Sequence, residues 1–241
     1  MVKLAAPFRI VVVLAALAAG LLLAGSGLGY RLGWWDYRKG FEMLGWALYA
    51  GLGAAAVAVV ALAIPKVRTR WATALALALV VGLGVAYVPW HWRTQAQSVP
   101  RIHDISTDTQ DPPKFVAVLP LRKGAPNTAD YGGKEVAEEQ RKGYPDIQPL
   151  KLDAPPQVAF ARALDTAERM GWTLVASNPV DGRIEATDTT FWFGFKDDIV
   201  IRVTPAEAGS RIDVRSVSRM GRSDIGTNAK RIRRYLVNLT S

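Results

Sequence analysis

The chain has 241 residues, half of them apolar, two histidines, no cysteine and a net charge of +9. That length suits a membrane region plus one globular domain, and the lack of cysteine excludes disulfides, thiolate metal sites and Cys nucleophiles in any redox compartment. Residues 1–90 hold 8 Lys/Arg against 2 Asp/Glu and residues 91–241 hold 22 against 19, so most of the excess flanks the membrane part and a basic nucleic-acid-binding domain is excluded.

Three windows without a charge come first, 10–30, 43–64 and 71–92. Each is long enough to cross a hydrocarbon core of about 30 Å as a helix, and three transmembrane helices are expected. Lys3, Arg9 and the small run Ala24-Gly25-Ser26 also resemble a signal peptide. The first apolar run exceeds an h-region of roughly 7–15 residues and two further spans follow, which favours a retained anchor. Trp34, Trp35, Tyr37, Trp71, Trp90 and Trp92 sit at span ends, where amphipathic aromatics settle at the headgroups. Gly20, Gly25, Gly51 and Gly53 permit close helix packing. Flanking Lys/Arg divide evenly between the two sides. The dense Lys66–Arg70 stretch, read as a loop, tips the assignment towards a cytoplasmic N-terminus, with residues 93–241 on the periplasmic side of the inner membrane.

Residues 93–150 read as a linker and extended loop region. Phe115–Leu119 is a short apolar run between prolines, expected as an edge strand. Lys134–Arg141 suits two helical turns, and a loop as long as 120–150 is usually functional or mobile.

Residues 151–241 read as a globular α+β domain. A helix is expected from Pro155 to Gly171, where Phe160, Ala163, Leu164, Ala167 and Met170 recur at helical spacing. Strands follow at 172–177, 183–189, 198–204 and 211–219, then a helix from Thr227 to Leu239, with Lys230, Arg231, Arg233 and Arg234 largely off its apolar stripe. The expected fold is an antiparallel sheet of four to five strands with two helices on one face. Alternation points Ile184, Ala186, Ile199, Ile201, Val203, Ile212 and Val214 to a core. The opposite face collects Glu185, Asp198, Arg202, Asp213, Arg215 and Arg219. It is either a solvated face with cross-strand ion pairs or an anion-binding surface in which Arg202, Arg215 and Arg219 make bidentate contacts.

The run from Arg215 to Asn228 satisfies the pattern Arg-Ser-x-Ser-Arg-x-Gly-x-Ser-Asp-x-Gly-x-Asn, with GRIEATDTTFWFGFKDDIVIRV before it and YPDIQPL earlier. On these residues the chain resembles the family known as domain of unknown function 1499, over about residues 105–239. The resemblance implies an envelope or lumenal location and N-terminal membrane segments, and no established reaction. Ser223, Asp224 and Thr227 precede a helix, where side-chain oxygens cap unpaired amides while Gly221 and Gly226 let the chain turn. The same loop, with Arg219 and a positive helix end, could instead hold an anion. The candidate ligand-binding set is therefore Arg202, Arg215, Arg219, Ser223, Asp224 and Asn228.

Catalysis has little to build on. His91 lies at the membrane boundary and His103 in the linker, so no Ser-His-Asp site or histidine metal site assembles within the domain. Asp197 and Asp198, adjacent on a strand, point to opposite faces and do not form a carboxylate pair. No metal or cofactor is indicated. Three readings follow: a non-catalytic domain that binds an anionic small molecule, lipid headgroup or protein; a structural or assembly subunit of a membrane complex; and an envelope hydrolase using Asp198 and Asp224.

Overall fold

The computed structural model describes residues 5–241, with side chains from residue 10 onward. Lys3 and the Arg9 side chain, which entered the charge comparison above, lie outside the described residues. The chain divides into two compact units, residues 1–95 with 191–194, and residues 96–190 with 195–241.

The first unit is built on three helices, α1 (Ala5–Arg31), α2 (Tyr37–Ala63) and α3 (Pro65–Ser98), each long and apolar enough to cross a membrane. Asp36 starts α2 by accepting the Arg38 amide at 2.9 Å. The stretch Lys66–Arg70 is helical rather than a loop. Pro65 opens α3 with its φ preset for the first turn, and the reversal is confined to Ile64. Gly51 and Gly82 let α2 and α3 touch backbone to backbone: a Cβ on Gly51 would stand 2.6 Å from the Gly82 carbonyl oxygen, and one on Gly82 would stand 2.7 Å from that of Gly51.

The second unit is a six-stranded antiparallel sheet with helices. Its strands are β1 (Asp104–Ser106), β2 (Leu150–Leu152), β3 (Thr173–Asn178), β4 (Arg183–Thr189), β5 (Lys196–Ala206) and β6 (Gly209–Ser218). They lie in the order β1-β6-β5-β4-β3, and β2 also pairs with β6. β3 to β6 form the expected meander. β1 comes from the segment read as linker and β2 from its junction with the domain, and at three residues each they are too short to show a period. Helices α5 (Pro156–Arg169) and α6 (Thr227–Thr240) pack on one face. There Ile105, Ile184, Ile199, Ile201, Ile212 and Val214 are fully buried with Ala163, Ile232 and Tyr235. Each such aliphatic side chain contributes roughly 1.5–3 kcal/mol through removal from water. Tyr235 stacks on Trp172 with centroids 5.1 Å apart and donates its hydroxyl proton to the Ala163 carbonyl at 2.8 Å.

Helix α4 (Gly133–Gly143) forms where two turns were expected, although it carries little apolar surface. What fixes it is the buried Gln140, whose amide donates to the Ser106 carbonyl at 2.6 Å and accepts the Ser106 amide at 2.9 Å. The side chain thereby closes the outer edge of β1, which would otherwise offer unpaired strand groups.

Phe115–Leu119 is not a strand. It is a turn running into a single 3-10 turn at Leu119–Arg122. Three successive amides of this turn converge on one carboxylate, an arrangement that an extended strand cannot make.

Candidate functional site

Cross-strand register puts Glu185 opposite Val200, Val200 opposite Arg215, Asp198 opposite Thr187 and Val217, and Arg202 opposite Asp213, all on the face away from α5 and α6. The sequence reading assembled this group correctly but left it in solvent. Glu185, Asp198, Asp213 and Arg215 are in fact buried, because residues 107–131 cross the face. Phe115 and Val118 pack on Val200 and Val217 there.

Beneath this cover the charges are paired. Glu185 accepts the amides of Val116, Ala117 and Val118 at 3.0–3.1 Å, and the Arg183 guanidinium at 3.0 Å. Successive amides curled around an anion form a nest, and here the anion is the protein's own. Asp198 receives Arg122 at 2.6 Å, Arg219 at 2.8 and 2.9 Å, and the Thr187 hydroxyl at 2.6 Å. Burial works to raise its carboxyl, but the hydrogen bonds of Arg219 and Thr187 and the nearby guanidinium charges outweigh that and hold it below the usual range.

The three candidate arginines are engaged at every guanidinium nitrogen. Arg202 donates from Nε to Asp213, from Nη1 to Asp111, and from Nη2 to Asp213, Asp108 and the Asp111 carbonyl. Arg215 reaches Asp104 from Nε and Nη2 at 2.9 and 2.8 Å and the carbonyls of Pro113 and Ala129. Its guanidinium also lies over the rings of Phe115 and Tyr131. Arg219 grips Asp198, with its remaining Nη1 on the Leu121 carbonyl at 3.0 Å. Around Asp104, burial dominates and raises the carboxyl in spite of Arg215. The anion-surface reading requires donors aimed outward, and these donors are spent on acceptors inside the domain.

The other candidates lie on the α6 side. Asp224 accepts the amides of Gly226 at 2.8 Å and Asn228 at 2.7 Å and so caps α6, a task the sequence reading shared among Ser223, Asp224 and Thr227. The Ser223 hydroxyl accepts the Ile225 amide at 3.2 Å, and Ile225 itself is held at φ 54°, where a β-branched residue is strained. Burial pushes Asp224 up to about 6 against its two amide bonds, with Asp197 adding to the rise and Arg231 opposing it. Asn228 bridges three elements: its side-chain carbonyl accepts the Ser216 hydroxyl at 2.7 Å, and its amide donates to Ser218 at 3.0 Å and to the His103 carbonyl at 2.9 Å.

Arg231, expected to lie largely off the apolar stripe, is buried. It donates to Asp197 at 2.6 Å, to Asp188 at 2.8 Å, to Ser216 and to the Asn228 side-chain oxygen. Asp197 and Asp198 thus serve separate arginines on opposite faces, as alternation requires. Asp198 is clamped by two guanidiniums while Asp224 caps a helix, so the pair proposed as acid and base occupies two separate networks.

Arg122, Asp104, Arg231 and the amides of Val116–Val118 are the participants that sequence reasoning missed. One signal for them existed. Val200 and Val217 sit out of phase with the apolar alternation, which means something must cover the second face. Among the described residues no group of three or more His, Asp or Glu side chains is placed to hold a metal ion.

Residues 104–239 match the family described as protein of unknown function (DUF1499). The chain belongs to this family. The boundary at residue 104 coincides with the first residue of β1, so the DUF1499 match takes in the whole sheet, the covering segment and α6. The Arg215–Asn228 run of this DUF1499 domain is the seam between β6, β1 and α6, and in it the side chains of Arg215, Ser216, Ser218, Arg219, Ser223, Asp224 and Asn228 have internal partners. A comparison with curated proteins gives no match.

Proposed function

We propose that this DUF1499 protein acts as a structural or assembly subunit of a membrane complex. In this reading the helices make the principal protein contacts and the sheet domain serves as a rigid module. The observation that carries it is that every guanidinium nitrogen of Arg202, Arg215 and Arg219 already donates to a carboxylate or carbonyl of the domain itself, which commits to internal partners the donors that an anionic small molecule or lipid headgroup would need. Membrane residence is supported by three helices long and apolar enough to span.

The orientation proposed is a cytoplasmic N-terminus with the DUF1499 domain on the periplasmic side of the inner membrane, in keeping with the Lys66, Arg68 and Arg70 cluster at the short α2–α3 connection. The cysteine-free sequence makes this testable with Lys66→Cys and Lys230→Cys, both at exposed positions. An impermeant maleimide applied from outside the inner membrane labels position 230 and spares position 66 if the orientation is right, and does the reverse if it is not.

For the function itself, the tagged full chain is extracted in mild detergent. A stoichiometric membrane-protein partner supports the assembly role. Elution alone, together with an anion-induced thermal shift that Arg219→Ala abolishes, would move the assignment to the ligand-binding reading.

A further inference from the structure

The turn between β4 and β5 contains Phe191, Trp192 and Phe193, and its residues Phe191–Gly194 group with the helical unit. Two of the three rings are seated. The Trp192 indole donates to the Ala24 carbonyl of α1 at 3.2 Å. Phe193 is 2% exposed, with its ring centroid 5.3 Å from that of Phe41 and 6.0 Å from that of Trp92. Room for them exists because Gly27 and Gly40 lack side chains: a Cβ at Gly27 would come 2.7 Å from the Trp192 Nε1, and one at Gly40 would come 2.9 Å from the Phe193 ring.

The depth of this seat follows from α2. Its uncharged run begins at Met43, directly after the exposed Glu42, so the hydrocarbon boundary on α2 lies near residue 43. A Cβ on Gly40 would come 2.5 Å from the Ser26 carbonyl oxygen, which sets Ser26 of α1 beside Gly40 of α2, within one helical turn of Met43 on the headgroup side. Trp192 and Phe193 touch positions 24, 27 and 40, and therefore lie at that boundary too. The neighbouring Phe191 is 92% exposed, and the Arg31 guanidinium fixes it by donating to its carbonyl. A phenyl ring at headgroup depth with no protein around it is suited to lipid.

We propose that Phe191 is a membrane-interface anchor whose partner is the lipid surface, with Trp192 and Phe193 holding the turn at the depth where the ring enters the bilayer. The test uses the full chain in nanodiscs of phosphatidylethanolamine and phosphatidylglycerol. A single nitroxide is attached at Phe191→Cys or, for comparison, at Val180→Cys in the β3–β4 turn, which is 93% exposed. Collision with oxygen reports lipid and collision with a nickel chelate reports water. The expected result is an oxygen-to-nickel ratio several-fold higher at 191 than at 180. Equal ratios, in variants whose melting matches the unsubstituted chain, would overturn the proposal.

Discussion

On one face of the sheet, Ile184, Ile199, Ile201, Ile212 and Val214 meet α5 and α6. On the other, Glu185, Asp198, Asp213 and Arg215 meet the segment 107–131, and both sets are withdrawn from water. The apolar face has no directional requirement, so a volume-conserving exchange there costs less than about 1.5 kcal/mol. The polar face has one at nearly every atom. Each buried charge is tolerable because a specific partner faces it, and removing one partner strands the other.

The sharpest way to break this contrast is Asp198→Ala, which orphans Arg122 and Arg219 together. A loss of about 3–5 kcal/mol is expected, read from thermal unfolding of the full chain in detergent. A cost like that of Ile201→Leu would mean that the two faces are not different in kind. In the helical unit, where close approach replaces charge pairing, Gly82→Val drives side-chain atoms into the Gly51 backbone and should lower stability by about 1–3 kcal/mol in the same assay.

A smaller effect is expected at the α6 cap. Asp224 stands at about 6 in the folded chain against an ordinary value of 3.8, so the folded state binds its proton more tightly than the unfolded one. Its contribution is fully present below 3.8 and is lost as pH rises through about 6, so stability falls across that window. Asp224→Asn should flatten that part of the pH profile. It should also cost about 1 kcal/mol, because the amide can accept only one of the two backbone protons. Asp104, also raised by burial, contributes with the same sign, so the difference between the two profiles isolates Asp224. The smallest effect belongs to Arg169→Ala. Its pairing with Asp165 is exposed on both sides, and a change within about 0.5 kcal/mol is expected in denaturant titration.

The parts of the molecule that sequence revealed are those whose signal is spread over many residues. A charge-free run of 21 or 22 residues can hardly be mistaken, and three strands betrayed themselves by alternation at Ile184 and Ala186, Ile199 and Ile201, and Ile212 and Val214. Hidden were the features decided by single long-range contacts. β1 and β2 have three residues each, and α4 is fixed by one glutamine on one strand edge. The candidate site was legible as a set, since register alone gathers Asp198, Arg202, Asp213, Arg215 and Arg219. Its character was not, because polar composition suggested solvent, while Arg122, Asp104 and the 116–118 amides reach their partners from between 67 and 111 residues away along the chain. The same polar bias assigned Arg231 to the surface. Only the pair Asp188 and Asp197, brought together by the β4–β5 register, accounts for a buried guanidinium on α6.

The second face of the sheet is a closed polar layer whose charges are paired internally, and amide hydrogen exchange in the full chain tests this directly at Val116, Ala117 and Val118. Their protons point at Glu185, not at strand partners, so they are protected only if the 107–131 segment stays down on the sheet. The account predicts protection of these three amides approaching that of the β5 and β6 core, falling sharply in Glu185→Ala. Exchange at the rate of an open loop in the unsubstituted chain would contradict it, and would return Arg202, Arg215 and Arg219 to the solvent-facing binding surface that their sequence first suggested.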